Sequence, residues 1–377
     1  MSTGKSVGNF ITLEQAIHEF GVDATRLACA DAGDSLEDAN FERKSANAAI
    51  LRLTKEELFV QDNITDDAMK LQRTGKLTFF DECFLNDINQ SIIDTEHGYI
   101  NMQFRHALKY GVFELQDARD RYRVAIQPLP MHQQCIRRYI EVSTLLIAPI
   151  CSHYAQHVWH ITGLDKKYNQ PFIARAHFPT PQPVNILLQR QIQYLRSTQL
   201  HCRDMYSTTI DMQKKRAIKA KQTYDQSSEP NSLILFISPQ YPQQQSDIIH
   251  ALQPLYNQLP SNVSYSTAIE SLDKKNVITV LKQLYTDKKQ LQDALKFSGQ
   301  IQEEYKLVGV NALELQLPFN EIEFVNEYIQ YVIRDLPLQH VSVMNVNDID
   351  QVKDIPMAQQ TASKALPGKP SPLYYIK

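Results

Sequence analysis

Apolar residues recur at three- and four-residue steps through most of residues 44–205, the period of helices that bury one face. Ala49, Leu51, Leu53, Leu58 and Phe59 open the pattern. Phe80, Phe84, Leu85, Ile88 and Ile92 share a face over 79–93, and Phe104, Leu108, Val112 and Leu115 do so over 102–126. A fourth segment, 135–147, carries Ile136, Tyr139, Ile140, Val142, Leu145 and Leu146. Pro149 lacks an N–H and crowds the preceding turn, so this helix should break after Ile147, resume through Trp159 and stop at Gly163. Amphipathic helices of this length must cover one another's apolar faces, which predicts a bundle.

The flanking segments differ. Before residue 44, Thr12 followed by Gln15 is a capping-box pattern opening a helix that closes near Gly21. Asp23 can cap the next helix, and Ser35 with Asp38 a third, with Gly33 as the stop between them. Residues 206–231 mix Lys214, Lys215, Arg216, Lys219 and Lys221 with polar residues and end in Ser-Ser-Glu-Pro, the composition of an exposed basic linker. From 232 a new pattern begins. Residues 233–237 are a short apolar run, and 313–317 and 341–343 alternate, so three strands are expected. Helical stretches lie between them at 287–305 and 320–334. The divisions are 1–43 (connector helices), 44–205 (bundle), 206–231 (linker), 232–346 (a small α/β or α+β domain) and 347–377 (a tail).

Composition narrows the classes. The formal charge of −3 over 377 residues does not describe a bulk polyanion binder, so any nucleic-acid contact must come from local basic patches. Five cysteines without a C-x-x-C fit a reducing compartment and argue against a thiolate zinc site. No apolar run reaches membrane-spanning length and no signal-peptide pattern is present. His153, His157 and His160 have a spacing that could offer imidazoles to a metal, yet no fourth ligand accompanies them, and no metal site is assigned. Arg105, Lys109, Arg119, Arg121, Arg123, Arg137 and Arg138 read either as helix-end charges or as a phosphate track, and Lys214, Lys215 and Arg216 as a solvated run or a further phosphate contact. No Ser-His-Asp or Cys-His arrangement is supported by spacing.

The start of the chain carries a motif. Met1-Ser2-Thr3-Gly4-Lys5-Ser6-Val7-Gly8-Asn9-Phe10 resembles the K-M-S-K-S-x-G-N-F loop of class I aminoacyl-tRNA synthetases, with Thr3-Gly4 standing as an insertion. A P-loop reading of Gly4-Lys5-Ser6 fails because the glycine five residues earlier is missing. Gly21-Val22-Asp23-Ala24-Thr25-Arg26-Leu27-Ala28, Met102-Gln103-Phe104-Arg105-His106-Ala107-Leu108-Lys109 and Leu146-Ile147-Ala148-Pro149 narrow the resemblance to cytosolic leucyl-tRNA synthetases of the eukaryotic type. It is weaker beyond residue 232.

The resemblance implies a mainly α C-terminal part: a helical anticodon-binding bundle followed by a small α/β domain, with the catalytic Rossmann core absent. The enzyme it resembles is a cytoplasmic ligase joining leucine to its tRNA with ATP and magnesium as substrates. Lys5 and Ser6 would then meet the ATP phosphates, where charge builds during activation. The bundle arginines and the basic segment would hold leucine tRNA. DNA and membranes are not expected as partners. Alone, the chain is expected to be inactive, with a separate chain carrying the catalytic core as one way of completing it. The alternative is a non-catalytic RNA-binding or scaffold module derived from the synthetase.

Overall fold

The computed structural model describes residues 11–34, 41–220, 229–260 and 265–377. The Lys5-Ser6 loop, the Ser35–Asp38 cap and Lys221 lie outside them. The chain forms two compact units, Met1–Gln189 and Arg190–Lys377.

The first unit is helical. α1 (Leu13–Phe20) opens on the expected capping box, with Thr12 and Gln15 exchanging bonds of 3.2 and 3.0 Å, and ends at Gly21. α2 (Val22–Ala32) and α3 (Arg43–Ile64) follow, with the short α4 (Asp66–Leu71) behind them. α5 (Phe79–Ile100) carries a second capping box, from Thr78 and Asp81. The segment expected at 102–126 is one helical rod in three parts. α6 (Phe104–Leu108) passes through a π-helical turn (Lys109–Glu114) into α7 (Leu115–Ala125). The rod lies close against α5 because the contacts are small: a Cβ on Gly98 would meet the Ala107 nitrogen at 2.8 Å, and one on Gly111 would meet the Thr95 hydroxyl at 2.7 Å. α8 (Gln133–Ile147) ends before Pro149, and α9 (Ser152–Ile161) closes ahead of Gly163, which adopts φ +70°. α10 (Leu164–Lys167) completes the unit. Two apolar cores result, one around Trp159 and Leu108, the other around Tyr139, Ile88 and Phe84.

The connector acids do work that chain spacing did not show. Asp23 does not cap its own helix, whose N-cap is Gly21. Its carboxylate instead accepts from the backbone N–H of Tyr154 at 2.6 Å and His153 at 3.4 Å, capping α9. Arg26, one turn along, donates to the carbonyls of Pro149 and Ile150 at 2.8 and 2.6 Å. α2 therefore satisfies both sides of the proline break, placing a cation on orphan carbonyls and an anion on orphan amides. Asp34 likewise caps α6 through Arg105 N and His106 N.

In the second unit, α11 (Ile186–Lys219) enters at Arg190. Two expectations change here. The division between the two compact units falls at Arg190, inside α11, where the sequence reading put the end of the bundle at 205. The supposed linker is helical as far as Lys219, since 210–219 holds the good helix formers Met, Gln, Lys, Arg and Ala and neither Gly nor Pro. Tyr194 packs against Phe319 and Phe324, and the Tyr374 hydroxyl donates to the Cys202 carbonyl at 2.6 Å.

β1 (Ser232–Ile237), buried throughout, is followed by α12 (Gln243–Tyr256), α13 (Tyr265–Glu270), α14 (Lys274–Leu284) and α15 (Lys288–Val308), which share one core. Then come α16 (Glu321–Glu327), α17 (Ile329–Val332), β2 (His340–Asn345), α18 (Ala358–Ala362) and β3 (Ser371–Tyr375). The sheet order is β2-β1-β3, with β2 parallel and β3 antiparallel to β1. Residues 313–317 are not a strand: a 3-10 turn (Gly309–Leu313) leads into irregular chain, its apolar side chains packed on the helical core. The tail expected after Val346 is instead structural, because it supplies α18 and β3. Pro372 masked that strand in the sequence, and an edge strand tolerates the missing N–H. The fold remains mainly α with a small α/β part.

Candidate nucleic-acid interface

The basic residues singled out by the sequence separate once placed. Arg105 and Lys109 are exposed on α6 and at the start of the π turn, with Lys109 Nζ 4.8 Å from the Tyr110 ring centroid. The His97, His106 and Tyr110 rings lie in succession beside them, at 5.8 and 4.7 Å. Arg121 and Arg123 are exposed on α7. Lys214, Lys215 and Arg216 are exposed near the end of α11, in the second unit.

Arg119 does not belong to such a surface. Its side chain is only 12% exposed and donates to Glu56 at 2.6 Å, to Tyr139 at 3.1 Å and to Asp120 at 3.0 Å, while its guanidinium lies 4.4 Å from the Phe59 ring centroid. Burial first, and then the Glu56 charge, push the Tyr139 hydroxyl well up, so it stays protonated and donates to Glu56 at 2.5 Å. Arg121 lies on another face of α7, whereas Arg123, one turn beyond Arg119 and on its side of the helix, stays 59% exposed with Asp120 at 3.7 Å.

Arg137 and Arg138 are brought together at an open cleft of about 570 Å³ beside the start of α8. Arg137 is exposed. Arg138 is half-buried, donates to the Thr180 carbonyl at 2.8 Å and lies 3.7 Å from Glu141. Glu141 is also met by Lys167 at 2.8 Å.

One cleft wall is held by a buried cluster that sequence reading missed. Asp81 has no exposed side-chain surface and accepts two bonds from Arg73, at 2.6 and 2.8 Å, and one from Tyr122 at 2.5 Å. Burial alone would raise the Asp81 carboxyl, but the bonds from Arg73, Tyr122 and Thr78 outweigh it and hold it below the usual range. Tyr122 in turn accepts the His132 N–H at 2.9 Å, and Arg73 exchanges backbone bonds with Met131 and Gln133. The sequence reading did not mark it: the i, i+3 spacing of Thr78 and Asp81 is a capping signal and gives no hint of Arg73 or Tyr122.

Each histidine on α9 has its own carboxylate: His153 with Asp23, His157 with Glu57, His160 with Asp165. Among the described residues no group of three or more His, Cys, Asp or Glu could hold a metal ion. The free thiols of Cys135, Cys151 and Cys202 are buried, and burial pushes each up to about 12, far from reactive.

Residues 81–227 match the family model for the anticodon-binding domain of tRNA ligases. Its similarity to a putative cytoplasmic leucine–tRNA ligase of Schizosaccharomyces pombe is 33% identity over 90% of this chain and 29% of that protein. Against the cytoplasmic leucine–tRNA ligase of Pongo abelii identity is 32% over 99% of the chain and 29% of the relative, and against that of Saccharomyces cerevisiae 37% over 76% and 26%. The chain belongs to the leucine–tRNA ligase family of class I aminoacyl-tRNA synthetases and corresponds to the C-terminal part of those enzymes. It spans less than a third of the length of these relatives.

Proposed function

We propose that this chain is the tRNA-holding part of a cytoplasmic leucine–tRNA ligase, the enzyme that joins leucine to its tRNA using ATP and magnesium. The observation that carries this reading is the similarity of up to 99% of the chain to ligases bearing that name. The exposed cations support it. Arg105, Lys109, Arg121, Arg123 and Arg137 stand on the outside of a compact helical unit. Cations held there contact phosphates at little ordering cost and release the counterions condensed on RNA. Lys214, Lys215 and Arg216 add a second basic stretch from the other unit. In the full enzyme Lys5 and Ser6 would approach the ATP phosphates; leucine activation belongs to a catalytic core, carried with this part or by a separate chain. The partners of this part are leucine tRNA and that core. No described helix is long and apolar enough to cross a membrane.

The test is equilibrium binding of the purified chain to labelled leucine tRNA, with serine tRNA as competitor. Displacement by unlabelled leucine tRNA but not by serine tRNA is expected. Equal displacement by both would reduce the reading to ancestry without recognition.

A further inference from the structure

We propose that the cleft beside the start of α8 receives one unstacked ribonucleotide, its phosphate on Arg137 and its base edge on the carboxamides of Gln133, Gln134 and Gln182. This rests on the RNA-binding reading above and names the chemistry of one part of that surface.

Volume, lining and rigidity support it. The cleft measures about 570 Å³, within the range of about 300–1,000 Å³ of small-ligand sites. Three glutamines line it with Arg137 and Arg138, while Leu85 supplies an apolar patch for a base face. A carboxamide carries a donor and an acceptor side by side, which is what the edge of an unpaired base demands, and unpaired bases are where RNA is read. The acid in the cleft, Glu141, is already met by Arg138, Lys167 and Tyr168, so it leaves the excess charge of Arg137 uncancelled.

The site is not a helix terminus awaiting an anion. The Gln133 N–H donates to the Arg73 carbonyl at 2.8 Å and the Gln134 N–H to His132 Nδ1 at 3.1 Å, so recognition falls to side chains. With Nδ1 accepting, His132 Nε2 carries the proton and donates to the Gly75 carbonyl at 3.2 Å. The Asp81 cluster fixes the same segment from below. On the opposite wall the Gln182 backbone is held by Asn89 at 3.1 Å. Walls fixed before binding lower the ordering cost of capturing a flexible base.

Two arms separate the source of the nucleotide. In the first, leucine tRNA is bound to the full chain and its unpaired bases are probed with edge-modifying reagents. The chain is compared with Gln133→Ala, Gln134→Ala and Arg137→Ala, and with Arg121→Ala, which does not line the cleft, as a charge control. These side chains lie at the surface or partly so, and circular dichroism confirms that each variant folds. The chain should shield one unpaired base. That base should become reactive in both glutamine variants and stay shielded in Arg121→Ala, with affinity about fivefold lower for each lost contact. If no unpaired base is shielded, or if shielding is the same in all variants, the proposal is overturned while RNA binding stands.

In the second arm, the four ribonucleoside 5′-monophosphates are titrated to about 10 mM, enough to see millimolar contacts, against the side-chain amide resonances of Gln133 and Gln134. Shifts that vanish in Arg137→Ala, in a chain that fails to hold tRNA, keep the cleft as a free-nucleotide site and defeat the RNA reading. Neither tRNA binding nor shifts defeats both.

Discussion

Glu56→Ala is the substitution whose cost the structure defines best. Glu56 and Arg119 have side-chain exposures of 7% and 12%, and Glu56 accepts from both Arg119 and Tyr139. Removing it leaves a buried guanidinium and a buried hydroxyl without their acceptor. Breaking one side of a buried pair typically costs about 3–5 kcal/mol. Asp120, 47% exposed, still meets Arg119 Nε at 3.0 Å and places the cost near the lower end, about 3 kcal/mol. Trp159, the sole tryptophan, is fully buried in the first unit and donates to the Gln170 carbonyl at 2.8 Å. Urea unfolding followed by its fluorescence therefore reports this unit alone. The triple change Glu56→Leu, Arg119→Met, Tyr139→Phe removes charges and hydroxyl together, strands nothing, and should recover to within about 1 kcal/mol of the parent chain. A Glu56→Ala loss under about 1 kcal/mol would refute the reasoning, since it would mean that water reaches Arg119 and that its charge is available to a ligand.

Further expectations follow from single contacts. Gly98→Ala should lower the Trp159 transition by about 1–3 kcal/mol, because its Cβ meets backbone of Ala107 rather than a movable side chain. Asp81 has a depressed carboxyl, so its stabilisation is complete above the unfolded value of about 4 and lost as pH falls through the folded one. The stability gap between the parent chain and Asp81→Asn should narrow in urea titrations run from about pH 5 downward. Glu321, buried in the second unit, has the opposite sign: burial raises it from 4.5 to about 7 although Gly368 N–H donates to it at 3.0 Å. It contributes a penalty that grows as pH rises from the ordinary value to about 7, so Glu321→Gln should slow amide exchange in β1 relative to the parent at about pH 8 and not at about pH 5.

The bundle helices were legible because each buries a stripe at helical period, and a stripe needs no knowledge of its partner. α5, α7 and α8 start or stop within a turn or two of their sequence bounds for that reason, and Pro149 and Gly163 punctuate as local sterics require. What was illegible depends on distant residues. Asp23 reads as a cap for its own helix, yet the amides it meets lie 130 and 131 positions away. Arg119 and Arg123 are one helical turn apart, and only the position of Glu56 on α3 decides which of them is internal. The 206–219 stretch was read by charge, although 212–217 are good helix formers, and its Tyr206 packs edge-on against Tyr374, in a strand beyond residue 370. The Asp81 cluster joins residues scattered over 73–132, so composition gave no sign of it.

The central claim is that exposed cations on a folded unit hold leucine tRNA. The most direct measurement is the salt dependence of leucine-tRNA affinity for the parent chain and for Arg105→Ala, Arg121→Ala and Arg137→Ala. Affinity should fall steeply with salt, and each substitution should reduce the log–log slope by about 0.7–0.9, the contribution of one released phosphate contact. A slope near zero, or one unchanged by all three substitutions, would contradict the account.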